Sequence, residues 1–142
     1  MSNLILCGLK NAGKTTFGKK LSQLLDKPFI DTDRLLGNPR ELYLHLGEKA
    51  FREKEKEIIK NLEVENSVIA LGGGTLILEE NRRYLRALGT IVYIHLDKEE
   101  WLKRIANCDS PIFTPSYYET RVALYREAAH IEISYGNKLL RT

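Results

Sequence analysis

The stretch from Leu4 to Phe17, LILCGLKNAGKTTF, constrains this chain more than any other part of it. Four apolar residues run into Gly8, Gly13 follows five positions later, and Lys14, Thr15 and Thr16 open a segment with helical spacing. The pattern G-x-x-x-x-G-K-[ST] between a buried strand and a helix builds a phosphate cradle. Its glycines let the backbone wrap so that the N–H groups of Asn11, Ala12, Gly13, Lys14, Thr15 and Thr16 face phosphate oxygens. The helix that follows adds the positive end of its dipole. Lys14 is expected as an exposed point charge between the β- and γ-phosphates, and the Thr15 hydroxyl as a ligand of Mg²⁺. The implied ligand is a nucleoside triphosphate with its magnesium.

A cradle of this kind needs a parallel sheet behind it, and the rest of the sequence provides one. Short Ile-, Leu- and Val-rich runs recur at Leu4–Cys7, Phe29–Ile30, Ser67–Leu71, Ile91–Leu96 and Ile131–Ser134. Helical spacing fills the intervals, at Thr15–Leu25, Arg40–Leu62 with a break near Gly47, Glu80–Ala87, Lys98–Ala106 and Tyr117–Ala129. Such alternation, behind a P-loop, predicts a doubly wound, three-layer α/β fold with a five-stranded parallel sheet flanked by helices. At 142 residues and 43% apolar composition, residues 1–142 are expected to form a single domain. A net charge of +3 without a dense basic tract argues against nucleic acid, and no apolar run nears the ~20 residues needed to span a bilayer. The first residues carry no charged segment ahead of a hydrophobic one, so a cytoplasmic place is expected; a small-molecule substrate and a monomer are expected beside it. Cys7 and Cys108 are too few and too far apart for a disulfide framework, and read as reduced thiols.

Candidate acceptor residues follow the second and third strands. In FIDTD, Asp31 and Asp33 emerge at a carboxyl edge with one residue between them, so in extended chain both point the same way. Asp31 suits the water shell of the metal, and Asp33 suits orienting and deprotonating an acceptor hydroxyl. Asp33 alone also fits a helix N-cap ahead of RLL. The helix starting near Lys49 has an apolar stripe of Phe51, Ile58, Ile59 and Leu62, which puts Glu55 on the buried face with Arg52 at its edge. A buried acid needs a partner, so an Arg52–Glu55 ion pair is expected, either purely structural or holding Arg52 ready for a carboxylate. The run Leu71–Leu76, LGGGTL, sets three glycines at a strand end, where something must approach the main chain closely. Gly73 and Gly74 are expected in the wall of the acceptor site. His45, His95 and His130 lack metal-ligand spacing, Trp101 is expected to cap the apolar face of its helix, and Tyr117 and Tyr118 to pack against a short loop.

Together these pieces resemble the shikimate kinase family. GLKNAGKTT looks like its Walker A segment, DTD its acceptor and metal carboxylates, FREKE its arginine-bearing helix, LGGGT its triple-glycine loop, and TRVALYREAA its late carboxylate-binding helix. The resemblance implies transfer of the γ-phosphoryl group of ATP to the 3-hydroxyl of shikimate. It implies that Asp33, Arg52, Gly73 and Arg121 touch shikimate, that Thr15 and Asp31 serve Mg²⁺, and that Arg104 lies along the adenine. Acceptor-binding helices are expected over about residues 33–62. The sequence departs from the family at the lid, about residues 108–117, which is shortened and reads Ser110-Pro111 where the family has Arg-Pro; the segment after Ser134 is also short. A kinase of another small hydroxy acid such as gluconate, or a nucleotide-binding protein impaired in transfer, therefore stands beside the first reading.

Overall fold

The strand carrying the cradle lies at the centre of the sheet. The computed structural model describes residues 3–10, 12–106 and 115–134; Asn11, Cys108, Ser110 and most of the expected lid lie outside these. In chain order, the elements are β1 (Asn3–Cys7), α1 (Lys14–Leu25), β2 (Phe29–Asp31), α2 (Thr32–Leu35), α3 (Pro39–Leu46), α4 (Glu48–Lys60) and β3 (Val68–Ala70). A 3₁₀ turn (Thr75–Ile77) then leads into α5 (Glu79–Leu88), β4 (Gly89–His95), α6 (Lys98–Arg104), α7 (Tyr117–Ala128) and β5 (Ile131–Ser134). Among the described residues the five strands are all parallel, as the alternating pattern predicts, and they lie in the order β2-β3-β1-β4-β5.

Register follows from a sheet buried on both faces. Ile5 lies beside Ile69 and Ile91, and these three, with Cys7, Leu71 and Tyr93, face the larger core under Ile59, Leu85 and Tyr125. The intervening Leu6, Val68, Val92 and Ile94 face the other way, against Phe17 and Leu21 of α1. Two-residue alternation thus feeds two apolar layers, each fully buried Ile or Leu contributing about 1.5–3 kcal/mol. Because all strands are parallel, their carboxyl ends share one edge, and the loops after β1, β2 and β3 meet there. Gly47, at φ +85°, ends α3 and turns the chain into α4, the break expected in the long helical run.

Candidate active site

The loop between β1 and α1 turns where its glycines stand. Gly13 takes the left-handed conformation (φ 92°) at the N-cap of α1, and Ala12 N–H donates to Leu9 O at 3.0 Å to close the turn before it. A Cβ at Gly8 would lie 2.7 Å from Ile94 O, so the loop can leave the sheet there only as glycine. Lys14 differs from expectation: it is buried, 9% exposed, with Nζ donating to Gly8 O at 2.6 Å and Leu9 O at 2.9 Å. The loop turns those two carbonyls toward the helix start, where they gather the ammonium inside the curl. Burial lowers the Lys14 pKa to about 8, despite the pull of Cys7, Asp33 and Asp31 toward the charged form, and Arg121 lowers it further. An enclosed cation held this way gains from an anion placed beside it. Cys7, underneath, is free and buried, and burial pushes its thiol up to about 12, so it is no nucleophile.

Asp31 and Asp33 meet the cradle by a different route from the one expected. The strand ends at Asp31 and α2 begins at once, so the two do not share an extended segment. Asp31, not Asp33, is the N-cap: its Oδ1 accepts from Asp33 N–H at 3.0 Å, and its Oδ2 lies 3.4 Å from the Thr15 hydroxyl. Asp33, in the first turn of α2, instead meets the triple-glycine loop, where a Cβ at Gly72 would lie 2.6 Å from its Oδ1. Burial, reinforced by Asp31, holds the Asp33 carboxyl above its usual range, against the attraction of Lys14. Thr15 and Asp31 offer adjacent hard oxygens, the donor chemistry that suits Mg²⁺ beside phosphate. Among the described residues no group of three or more His, Cys, Asp or Glu forms a metal cage, and Mg²⁺ with its waters and phosphates requires none.

The Arg52–Glu55 pair forms as expected, with Nη1 to Oε1 at 2.9 Å, and it is only one link of a longer chain. Glu55, 3% exposed, also accepts from Thr75 Oγ1 at 2.9 Å, and Arg52 Nε reaches Glu48 at 3.0 Å. Burial works against the Arg52 charge, but Glu55 and Glu48 outweigh it and keep the group firmly ionised. The guanidinium lies against Gly74, where a Cβ would meet Nη2 at 2.5 Å. On the neighbouring Gly73, the carbonyl accepts from Arg121 Nη1 at 2.8 Å and from Tyr125 OH at 2.5 Å. Three consecutive glycines thus touch Asp33, Arg121 and Arg52 in turn. None of the three takes a positive φ; Gly72 and Gly74 are glycine because a side chain there would strike Asp33 or Arg52, whereas a Cβ at Gly73 would make only ordinary contacts.

The remaining expected residues divide. Ala12, Gly13, Thr15 and Thr16 lie in the cradle, and Asn11 lies outside the described residues. Arg104 sits in the last turn of α6, ion-paired with Glu100 at 3.3 Å. His95 bridges Tyr93 OH and Asp97, while His130 accepts from Ile91 N–H at 3.0 Å, so both serve packing. Trp101 is buried in the core and stacks on Tyr117. Thr75, Glu48 and Tyr125 were not foreseen. Tyr125 stands four residues after Arg121, a helical spacing that already placed it on the same face; Thr75 and Glu55 are twenty apart with no local signal.

With this geometry established, comparison with known proteins adds the following. The sequence profile of the family described as Shikimate kinase matches residues 10–139. A shikimate kinase of Bacillus cereus (strain AH187) is 36% identical over 154 aligned positions, covering 99% of this chain and 93% of that relative. The structure of a shikimate kinase from Acinetobacter baumannii in complex with shikimate is 29% identical, with a TM-score of 0.82, covering 99% of this chain and 87% of that one. A gluconokinase from Sinorhizobium meliloti, 15% identical with a TM-score of 0.62, shares the fold alone.

Proposed function

The chain belongs to the shikimate kinase family, and from that premise we propose that it transfers the γ-phosphoryl group of ATP to the 3-hydroxyl of shikimate, a step toward aromatic amino acids. The observation that carries this reading is the triple-glycine loop, against which one carboxylate and two guanidiniums converge beside a phosphate cradle. Two planar cations suit a carboxylate-bearing acceptor, because each guanidinium keeps N–H donors beyond those given to Glu48, Glu55 and the Gly73 carbonyl. Asp33 faces the same loop and accepts the proton of the attacking hydroxyl; its raised pKa brings it nearer the range in which a carboxylate works as a base. Lys14 holds the charge of the transferring phosphoryl group, and the cradle N–H groups, including those of Ala12, Gly13, Thr15 and Thr16, fix the phosphates in line.

Thr15 and Asp31 would hold Mg²⁺, which when bound neutralises charge on the β- and γ-phosphates. Gly73 and Gly74 form the wall of the acceptor site, Glu55 keeps Arg52 in place, and Arg104 lies along the base of the nucleotide. Residues 1–142 act in this reading as one kinase domain, a cytoplasmic monomer, with α2 to α4 on the acceptor side.

The test is a coupled assay with ATP, Mg²⁺ and a panel of shikimate, gluconate and related hydroxy acids. ADP formation that depends on shikimate is the expected result. Turnover of gluconate without shikimate would keep the kinase class and move the acceptor. ATP binding without any transfer would instead favour a nucleotide-binding protein, as the Ser110-Pro111 departure in the lid allows.

A further inference from the structure

Arg52 and Arg121 reach adjacent glycines, but they are held in different ways. Arg52 is fixed by two carboxylates, Glu48 and Glu55. Arg121, among the described residues, has no carboxylate partner within salt-bridge distance; its Nη1 donates to the Gly73 carbonyl, and its Cζ lies 4.6 Å from the centroid of the Tyr117 ring. Tyr117 opens α7, one helical turn before Arg121, and is only 6% exposed. Its ring is fixed in turn by stacking on Trp101, with centroids 5.7 Å apart and planes 8° from parallel. Tyr118 leans on the same indole and anchors its hydroxyl on Leu96 O at 2.7 Å.

The difference matters for a group that must take a carboxylate. A carboxylate partner would orient Arg121 but would also compete with the incoming acid for the same donors. An aromatic face orients a guanidinium through its quadrupole, and a neutral phenol, unlike a carboxylate, brings no opposing charge to compete with the incoming acid. Both groups border the glycine loop: a Cβ on Gly73 would lie 4.0 Å from Arg121 Nη1 and 3.9 Å from Tyr117 OH.

We propose that Tyr117, braced by Trp101, is a positioning residue that holds the Arg121 guanidinium for the acceptor carboxylate while leaving its charge unneutralised. The inference rests on the shikimate kinase reading for its substrate, but not for its geometry, so the experiment has two arms. In the first, Tyr117→Leu and Tyr117→Phe are compared with the parent chain. Leu should raise the acceptor KM by about five- to thirty-fold, with ATP KM and kcat within about twofold, and Phe, which keeps the ring face, should restore most of the loss. In the second, which needs no substrate, NMR order parameters of the Arg121 Nε–H group are measured on the free protein. They should be high in parent and Phe variant and fall in the Leu variant. A parent that turns over shikimate while Leu leaves the acceptor KM unchanged would overturn the proposal, and so would an Arg121 equally ordered in all three proteins. A parent inactive on shikimate but with the expected NMR pattern would refute only the substrate reading.

Discussion

Replacing Gly72 by alanine adds one methyl group to the protein and directs it at a single functional atom. The backbone at Gly72 does not take a positive φ, so alanine meets no conformational penalty there. The new Cβ would lie 2.6 Å from Asp33 Oδ1 and 3.3 Å from Thr75 Oγ1. To regain ordinary carbon–oxygen contact the carboxylate must retreat by about 0.8 Å, which it can do by rotating its side chain. Overpacking against the free end of a side chain should cost stability only about 1 kcal/mol, the low end of the range for such insertions. A base displaced by about 1 Å from a hydroxyl it must deprotonate costs up to roughly a hundredfold. Steady-state kinetics should therefore show kcat reduced by about ten- to a hundredfold with the ATP KM unchanged, and a urea titration should show a small shift in midpoint. The neighbouring glycines are internal controls. A Cβ at Gly73 has nothing nearer than 3.6 Å, and one at Gly74 strikes the Arg52 guanidinium at 2.5–2.7 Å. Alanine at Gly74 should raise the acceptor KM first, and at Gly73 the effect on kcat should be the smallest of the three. Should Gly72→Ala keep kcat within twofold while folding normally, the placement of Asp33 as base is wrong; an identical response at all three glycines would refute it equally.

Three further outcomes follow from the same contacts. Arg52→Lys and Arg121→Lys keep the charge but lose the planar fork, so each should raise the acceptor KM clearly and less than alanine does, with the ATP KM little changed; Arg52→Ala should in addition cost about 3–5 kcal/mol in urea unfolding because Glu55 stays buried. Thr75→Val removes the second hydrogen bond of Glu55 and should lower stability by about 1–3 kcal/mol and loosen Arg52, seen as a higher acceptor KM with unchanged ATP KM. Lys14, lowered from 10.5 to about 8 in the folded state, sheds its proton on folding between those values, where the unfolded chain holds more protons. The stability of the parent relative to Lys14→Met should accordingly be flat with pH below about 8 and rise by about 3 kcal/mol toward 10.5, measured as unfolding free energy across that range.

The parts of this molecule that sequence alone reveals are those set by near neighbours or by strict period. The cradle, the five strands and the Arg52–Glu55 pair are of that kind: each depends on spacing within one element or on an apolar run buried on both faces. Asp31 and Asp33 were harder because the reading assumed that β2 continues as extended chain. The strand is three residues long, the helix begins at Thr32, and the first aspartate is spent partly on capping it. The burial of Lys14 depends on how the loop turns its own carbonyls, which no residue type announces. The contacts of Thr75 with Glu55, and of Gly73 with Arg121 and Tyr125, join segments brought together only by the parallel sheet. The glycine run signalled that something lies close, but only the fold says that it is a carboxylate and two guanidiniums.

The most direct test of the central claim is product analysis of a single reaction containing ATP, Mg²⁺ and shikimate, with ADP and phosphorylated shikimate quantified together by ³¹P NMR and the site of phosphorylation read from the spectrum. The parent chain should form shikimate 3-phosphate in step with ADP, and Asp33→Asn should lose at least about a hundredfold in rate while still binding ATP, since the cradle is untouched. Absence of the 3-phosphate from the parent reaction, or an Asp33→Asn variant that forms it at the parent rate, would contradict the account.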